Sequence, residues 1–427
     1  MTQLSWLTKK RNGILPLSST HAINILVAVL TLPIILTSLP IDDYGKWQFM
    51  LALQAWGLVI SAPQITDGSK RGIALGQEGT FFFALFARAK WLLVSSGLFL
   101  LLGVYFQLTD RGTFALLAGL SAFYLFSNIL VQTSIGEFFI SKKEFVQYGI
   151  WTTISSPVAR IGSSVVALYT QSIVLFVLFQ IVFATLISIF TMTTLIKRRT
   201  LWMQYIQGNY DASCIKFGIR SLPTDILGAI SNRLVEVLIG IFFGITSLAY
   251  FSVARDLRNQ VANMLKMALP LLYADFVKQP IDALARRLTQ KLMPMIATST
   301  GLGIIGILLS IAYILFFLPD AFRAAIPFLL ILGLAFPIVI PTIIYNTVLE
   351  SHLRYRAIAL ATIVPSVIKI VLVIFLGWLW GILGMTVAIA LFGYTSFAFF
   401  YLATVHRESF KKFLEQSRIM RAIMHVY

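Results

Sequence analysis

The chain has 427 residues, 58% of them hydrophobic and 12% charged, where a soluble domain carries about a quarter of its residues as charges. A mean hydropathy of +0.85 excludes a water-soluble globular class and points to a membrane protein with many crossings. The formal charge of +17 suggests a nucleic-acid partner at first sight, but its distribution along the chain assigns it to the membrane surface, and no nucleic acid is expected.

Apolar blocks able to cross about 30 Å of hydrocarbon recur along the whole sequence, about twelve in all. They run Ala22–Leu39, Trp47–Ile65, Phe81–Phe106, Phe114–Val131, Val146–Tyr169, Ile173–Ile196, Ile219–Phe243, Leu248–Phe276, Leu292–Leu318, Ala324–Leu349, Ala357–Leu379 and Ile382–Val405. The first follows Lys9, Lys10 and Arg11 as a signal peptide would, yet no small-x-small cleavage pattern comes after it, so it stays as the first helix. Between the first two blocks Asp42 and Asp43 form an acidic pair. That turn is too short to hold a sugar-phosphate and a metal, and its counterpart around Ser247 has no acid, so the pair is expected to cap a turn.

With the start taken as cytoplasmic, the inner loops and tails hold most of the basic residues, among them Lys70, Lys142, Lys197, Arg286, Arg354 and Lys411. The outer turns hold little beyond Lys46, Arg111 and Arg323. That bias places both termini in the cytoplasm. The longest polar interruption, "KRRTLWMQYIQGNYD" from Lys197 to Asp211, falls near mid-chain and predicts two six-helix lobes, 1–200 and 201–427. Matches at Tyr44/Tyr250, Leu51/Leu257 and Gln54/Gln260 are a weak echo of one half in the other. Prolines within spans, including Pro63, Pro157, Pro270 and Pro365, predict kinks, and Trp47, Trp378 and Trp380 predict interfacial anchors.

Ionisable residues fall inside several blocks: Arg160, Asp225, Arg233, Glu236, Arg255, Asp256, Arg258, Lys266 and Lys369. Each costs roughly 2.5 to 3.5 kcal/mol at a helix centre, so they must face one another or water. At about 100° per residue, Arg255, Asn259 and Lys266 share a face with Arg258 beside it, while Asp225, Asn232 and Glu236 share a face of the preceding helix. Pairs such as Arg233 with Glu236 at i,i+3, and Asp256 with Arg255 or Arg258, account for part of the set. Arg160, Lys266 and Lys369 have no acid nearby in sequence, and this cation-rich count suggests an anion as cargo. One cysteine, Cys214, excludes an internal disulfide, and His21, His352, His406 and His425 are scattered, so neither metal nor cofactor is expected. No phosphate loop or nucleophile elbow stands out, which argues against an enzyme.

"LPIDDYGKWQFMLALQ" after the first helix and "LAYFSVARDLRNQVANMLKMALPLLYADF", Leu248 to Phe276, give the chain its resemblance to a family. It resembles the multidrug/oligosaccharidyl-lipid/polysaccharide exporter superfamily over nearly its whole length, and within it the Wzx-type flippases of O-antigen and related repeat units. The resemblance implies an all-α, V-shaped bundle of the MATE type in a bacterial inner membrane. The cargo it implies is an oligosaccharide on undecaprenyl pyrophosphate, with membrane lipids and downstream polymerase and chain-length machinery as partners. Arg160, Arg233, Arg255, Arg258, Lys266 and Lys369 are then candidate headgroup contacts, with Asp225, Glu236 and Asp256 as coupling or orienting groups. Helix one offers only His21 where the related lipid II flippases carry basic residues, which argues against lipid II itself. The alternatives are a multidrug exporter of the same superfamily, against which the basic excess counts, and a membrane polysaccharide polymerase or glycosyltransferase, for which a long outer catalytic loop is missing.

Overall fold

A computed structural model describes residues 22–142, 144–199, 201–266, 276, 279–352 and 354–406, and all regular structure among them is helical. In order these are α1 (Ala22–Ser38), α2 (Ile41–Ile60), α3 (Gln64–Ala74), α4 (Thr80–Leu108), α5 (Gly112–Tyr124), α6 (Leu130–Ser141), α7 (Phe145–Thr153), α8 (Ala159–Thr170), α9 (Ile173–Arg199) and α10 (Leu201–Ile206). Then come α11 (Ser213–Phe242), α12 (Ile245–Lys266), α13 (Ile281–Gln290), α14 (Leu292–Phe317), α15 (Ile326–Gly333), α16 (Val339–Ser351) and α17 (Tyr355–Val405). Taking α5 with α6, α7 with α8, α15 with α16, and α17 as two halves, these helices overlie the twelve expected spans, with α3, α10 and α13 as short additions. Four of the described helices are long and apolar enough to cross a membrane alone, and six crossings result if two bent pairs are each counted as one. Pro270, Asp275 and both chain ends lie outside the described residues.

The breaks have local causes. Between α2 and α3 the chain bends by 48°, where Ala62 adopts a φ of 49° ahead of Pro63, which cannot supply a helical N–H. The second expected span runs from Trp47 to Ile65 with a kink at Pro63; the helix instead ends at Ile60. Asp42 and Asp43 occupy the first turn of α2, where the exposed N–H groups favour negative charge, and Asp43 takes Lys46 at 2.7 Å. Pro157 lies in a π-helical turn, Ile154–Val158, joining α7 to α8, and Leu125–Ile129 forms a second such turn between α5 and α6. α17 reverses at Gly381, whose φ of 60° and ψ of −140° belong to a region open only to glycine.

Contacts divide the chain into two units, Met1–Ala229 and Ile230–Tyr427. The dividing point falls inside α11 because the early turns of that helix pack onto the first unit. A side chain at Gly218 would meet the Ile65 backbone nitrogen at 2.6 Å, and Cys214 lies against Gly68. Within the first unit, Phe81, Phe82, Phe138, Ile135 and Leu195 form a core, flanked by ion pairs of Lys142 with Glu78 at 2.5 Å and of Lys70 with Glu137 at 2.8 Å. Within the second, the buried side of α13, Ile281, Leu284 and Leu288, packs with Tyr345, Val348 and Leu360. Arg286 and Arg287 on the opposite side of α13 are exposed, the usual split of an amphipathic helix. Trp378 and Trp380 stand on the surface, whereas Trp47 is half-buried and packs edge-on against Phe176.

Candidate functional site

The second unit gathers most of the intramembrane charges into one cluster. Glu236 on α11 is 1% exposed; its Oε1 accepts from Arg255 Nη1 of α12 and also faces Arg233 Nη1 at 3.4 Å. Arg255 turns its Nη2 and Nε to Asp256 Oδ1 at 2.9 and 3.2 Å. One arginine is therefore held between two carboxylates, and both expected local pairs, Arg233 with Glu236 and Arg255 with Asp256, are present. One contact was not predictable from spacing: Glu236 to Arg255 joins residues 19 positions apart, across the turn at Gly244.

Two cations complete the group without a carboxylate. Arg258 donates from Nη1 to Asn259 Oδ1 at 3.2 Å and lies 5.7 Å over the Phe336 ring, while its buried Nε has no hydrogen-bond partner among the described residues. Lys369, on the first half of α17 and 4% exposed, holds its ammonium 4.7 Å over the Phe392 ring. Its charge is felt by, and feels, those of Glu236, Arg258 and Arg233. An aromatic face supplies part of the stabilisation that water would have given such a cation. It does not neutralise it. Among the described side chains, four cations against two carboxylates leave the cluster two positive charges in surplus. Glu236 Oε2 is itself buried without a described hydrogen-bond partner.

The remaining candidates stand apart. Arg160 belongs to the first unit, where its Nε donates to Thr31 Oγ1 at 3.1 Å. The helical positions of Asp225 and Lys266 are described, but their side chains lie outside the described residues. The sequence reading passed over Arg88, which is fully buried on α4 and donates to Thr66 Oγ1 at 3.0 Å and Ser61 Oγ at 3.3 Å. It joins the two sides of the α2–α3 break. Its place seven residues into a long apolar run was the available signal, masked by a nearby basic inner loop. Among the described residues no three His, Cys, Asp or Glu side chains come together as a metal site.

No protein-family model matches the chain, and no curated protein matches its sequence. Solved structures do. The chain superposes on lipid II flippase MurJ in an inward closed conformation at a TM-score of 0.61 and 13% identity, covering 91% of this chain and 86% of that one. The fold is that of MurJ and the MATE transporters. The eukaryotic MATE transporter AtDTX14 gives a TM-score of 0.61 at 14% identity over 95% and 98% of the two chains. An inward-facing multidrug resistance MATE family transporter of the MOP superfamily gives 0.57 at 14% over 91% and 96%. At these identities the likeness establishes the MATE-like helical architecture expected from the sequence.

Proposed function

We propose that the protein is a flippase that carries undecaprenyl-pyrophosphate-linked oligosaccharide repeat units, of O-antigen or a related polysaccharide, from the inner to the outer leaflet of a bacterial cytoplasmic membrane by alternating access. The observation that carries this reading is the surplus of two positive charges in the buried cluster. A pyrophosphate esterified at both ends keeps one ionised oxygen on each phosphorus, so its two negative charges match that surplus. Arg258 and Lys369, which no described carboxylate hydrogen-bonds, are the first contacts for those oxygens, Arg as a fork and Lys as a point charge. Arg233 and Arg255 join by exchanging Glu236 for phosphate, and Glu236, released, is the group that takes a proton or reorients. Arg160 and Lys266 keep the headgroup roles, and Asp225 and Asp256 the coupling or orienting roles, expected from the sequence. A multidrug exporter for cationic compounds would need the opposite sign of charge here.

The test is surface polysaccharide in cells lacking their own flippase, given the wild type, Arg258→Gln or Lys369→Gln, with membrane levels of each measured. Restoration by the wild type and loss in the well-inserted variants supports the reading. Normal polymer from both variants removes the cluster from the cargo path. Failure of the wild type with several donor sugars, together with raised drug tolerance, replaces this function by drug export.

A further inference from the structure

The short helix α10 begins one residue after α9 ends. On its wheel Trp202, Ile206 and Met203 fall within an arc of about 100°, and all three are about half exposed or more. On the opposite side Gln204 Oε1 accepts from the Glu78 N–H at 3.1 Å, and Leu201 is fully buried. These contacts seat α10 at the start of α4. A side chain at Gly79 would meet the Tyr205 backbone at 2.9 Å, and the Trp202 ring reaches along α4 to Phe82 and Phe86, at 5.2 and 6.1 Å between centroids. Phe86 belongs in turn to the outer face of a helix long and apolar enough to cross a membrane. It shares an arc of about 60° with Lys90, Leu93 and Val104, all of them exposed.

Depth follows from length. From Phe106, the last apolar residue before the exposed Gln107, back to Phe86 the rise along α4 is about 30 Å, the thickness of the hydrocarbon core. Phe86 therefore lies at the core's edge, and Trp202 packs against it from the headgroup side, the layer where tryptophan concentrates. Lys90 fits that level, since a lysine one turn inside the edge extends its ammonium out to the phosphates. We propose that α10 is an interfacial anchor whose Trp202, Met203 and Ile206 insert between lipid headgroups at this end of α4. The link that reads in sequence as the longest polar interruption is then held partly in the membrane. Three side chains are too few for a stable protein interface, which takes about 800 Å² a side, whereas they continue a surface that meets lipid. The anchor is independent of what the protein transports and of which face of the membrane is cytoplasmic.

The test uses full-length protein carrying Cys214→Ser, which removes its one cysteine, in vesicles of phosphatidylethanolamine and phosphatidylglycerol. Nitroxide labels are placed on Met203→Cys and on Ile206→Cys. Leu93→Cys on the exposed face of α4 is the lipid reference, and Asp110→Cys in the polar turn after it is the water reference. Collision with oxygen, which concentrates in lipid, is divided by collision with a neutral water-soluble nickel chelate. The expected ratio at 203 and 206 is severalfold above that at 110 and approaches that at 93. Both positions are exposed, so either label alone carries the test if the other disturbs insertion. Ratios equal to that at 110 place α10 in water and overturn the proposal. Low collision with both reagents overturns it as well, because a second copy or another protein then covers the arc.

Discussion

At Glu236 two arginines converge on one carboxylate oxygen, with Arg255 in contact and Arg233 at 3.4 Å. Removing one member of such a buried pair leaves an uncompensated charge and costs about 3 to 5 kcal/mol, whereas replacing the pair by apolar residues is often near neutral. Glu236→Leu is therefore expected to lower the unfolding temperature in detergent well below that of Glu236→Leu with Arg255→Met; equal losses would mean that the pair is not coupled. Cys214 gives a separate prediction, at the start of α11 and outside the expected span. Burial, with Asp211 adding to it, pushes its thiol up from the ordinary 9.0 to about 11. The folded form thus holds its proton where the unfolded form has lost it, so stability is full below pH 9.0 and falls as pH rises towards about 11. Cys214→Ala should flatten that alkaline decline. Maleimide at neutral pH should label the native thiol far more slowly than the denatured one. Spacing made the Arg233–Glu236 and Arg255–Asp256 pairs legible in the sequence, because three-residue and adjacent separations place groups within reach on any helix. Nothing local connects Lys369 with α12, and nothing local shows that Arg88 spans a break, since both depend on which helices become neighbours.

At the level of the elements, apolar length located the helices and missed some of their interruptions. The expected gap between Leu379 and Ile382 is the reversal at Gly381, next to the two tryptophans read as interfacial anchors. Pro63 marked a kink at the α2–α3 bend, but not that the helix stops there, because Ala62 is an alanine in a glycine's conformation. Pro157 read as a simple kink, whereas one extra residue in the turn converts the kink to a π-helical bulge. Gly381→Ala is expected to cost about 1 to 3 kcal/mol, the range for a side chain forced into a sparsely populated backbone region. Thermal unfolding of the purified variant measures it, and an unchanged midpoint would mean that the turn can readjust without strain.

Across the whole molecule, the helical architecture followed from hydropathy alone, because a bilayer allows so few ways to satisfy the backbone. The sidedness proposed for it rests on the basic bias of alternate turns. In a Cys214→Ser background, Asp110→Cys and Asp320→Cys are expected to react with an impermeant maleimide on intact cells, and Gln207→Cys and Arg354→Cys only after permeabilisation; the reverse pattern would invert the topology. The turns expected outside are brief, 39–40, 109–111, 171–172, 243–244 and the single reversal at Gly381, apart from 318–325, most of which is wound into the 3-10 turn Asp320–Ala325. An extracytoplasmic protease needs several extended residues to fill its cleft, and an antibody or a phage fibre needs a comparable stretch to grip. Among the described residues that face gives one candidate, 318–325, and its 3-10 winding keeps it from lying extended in such a cleft.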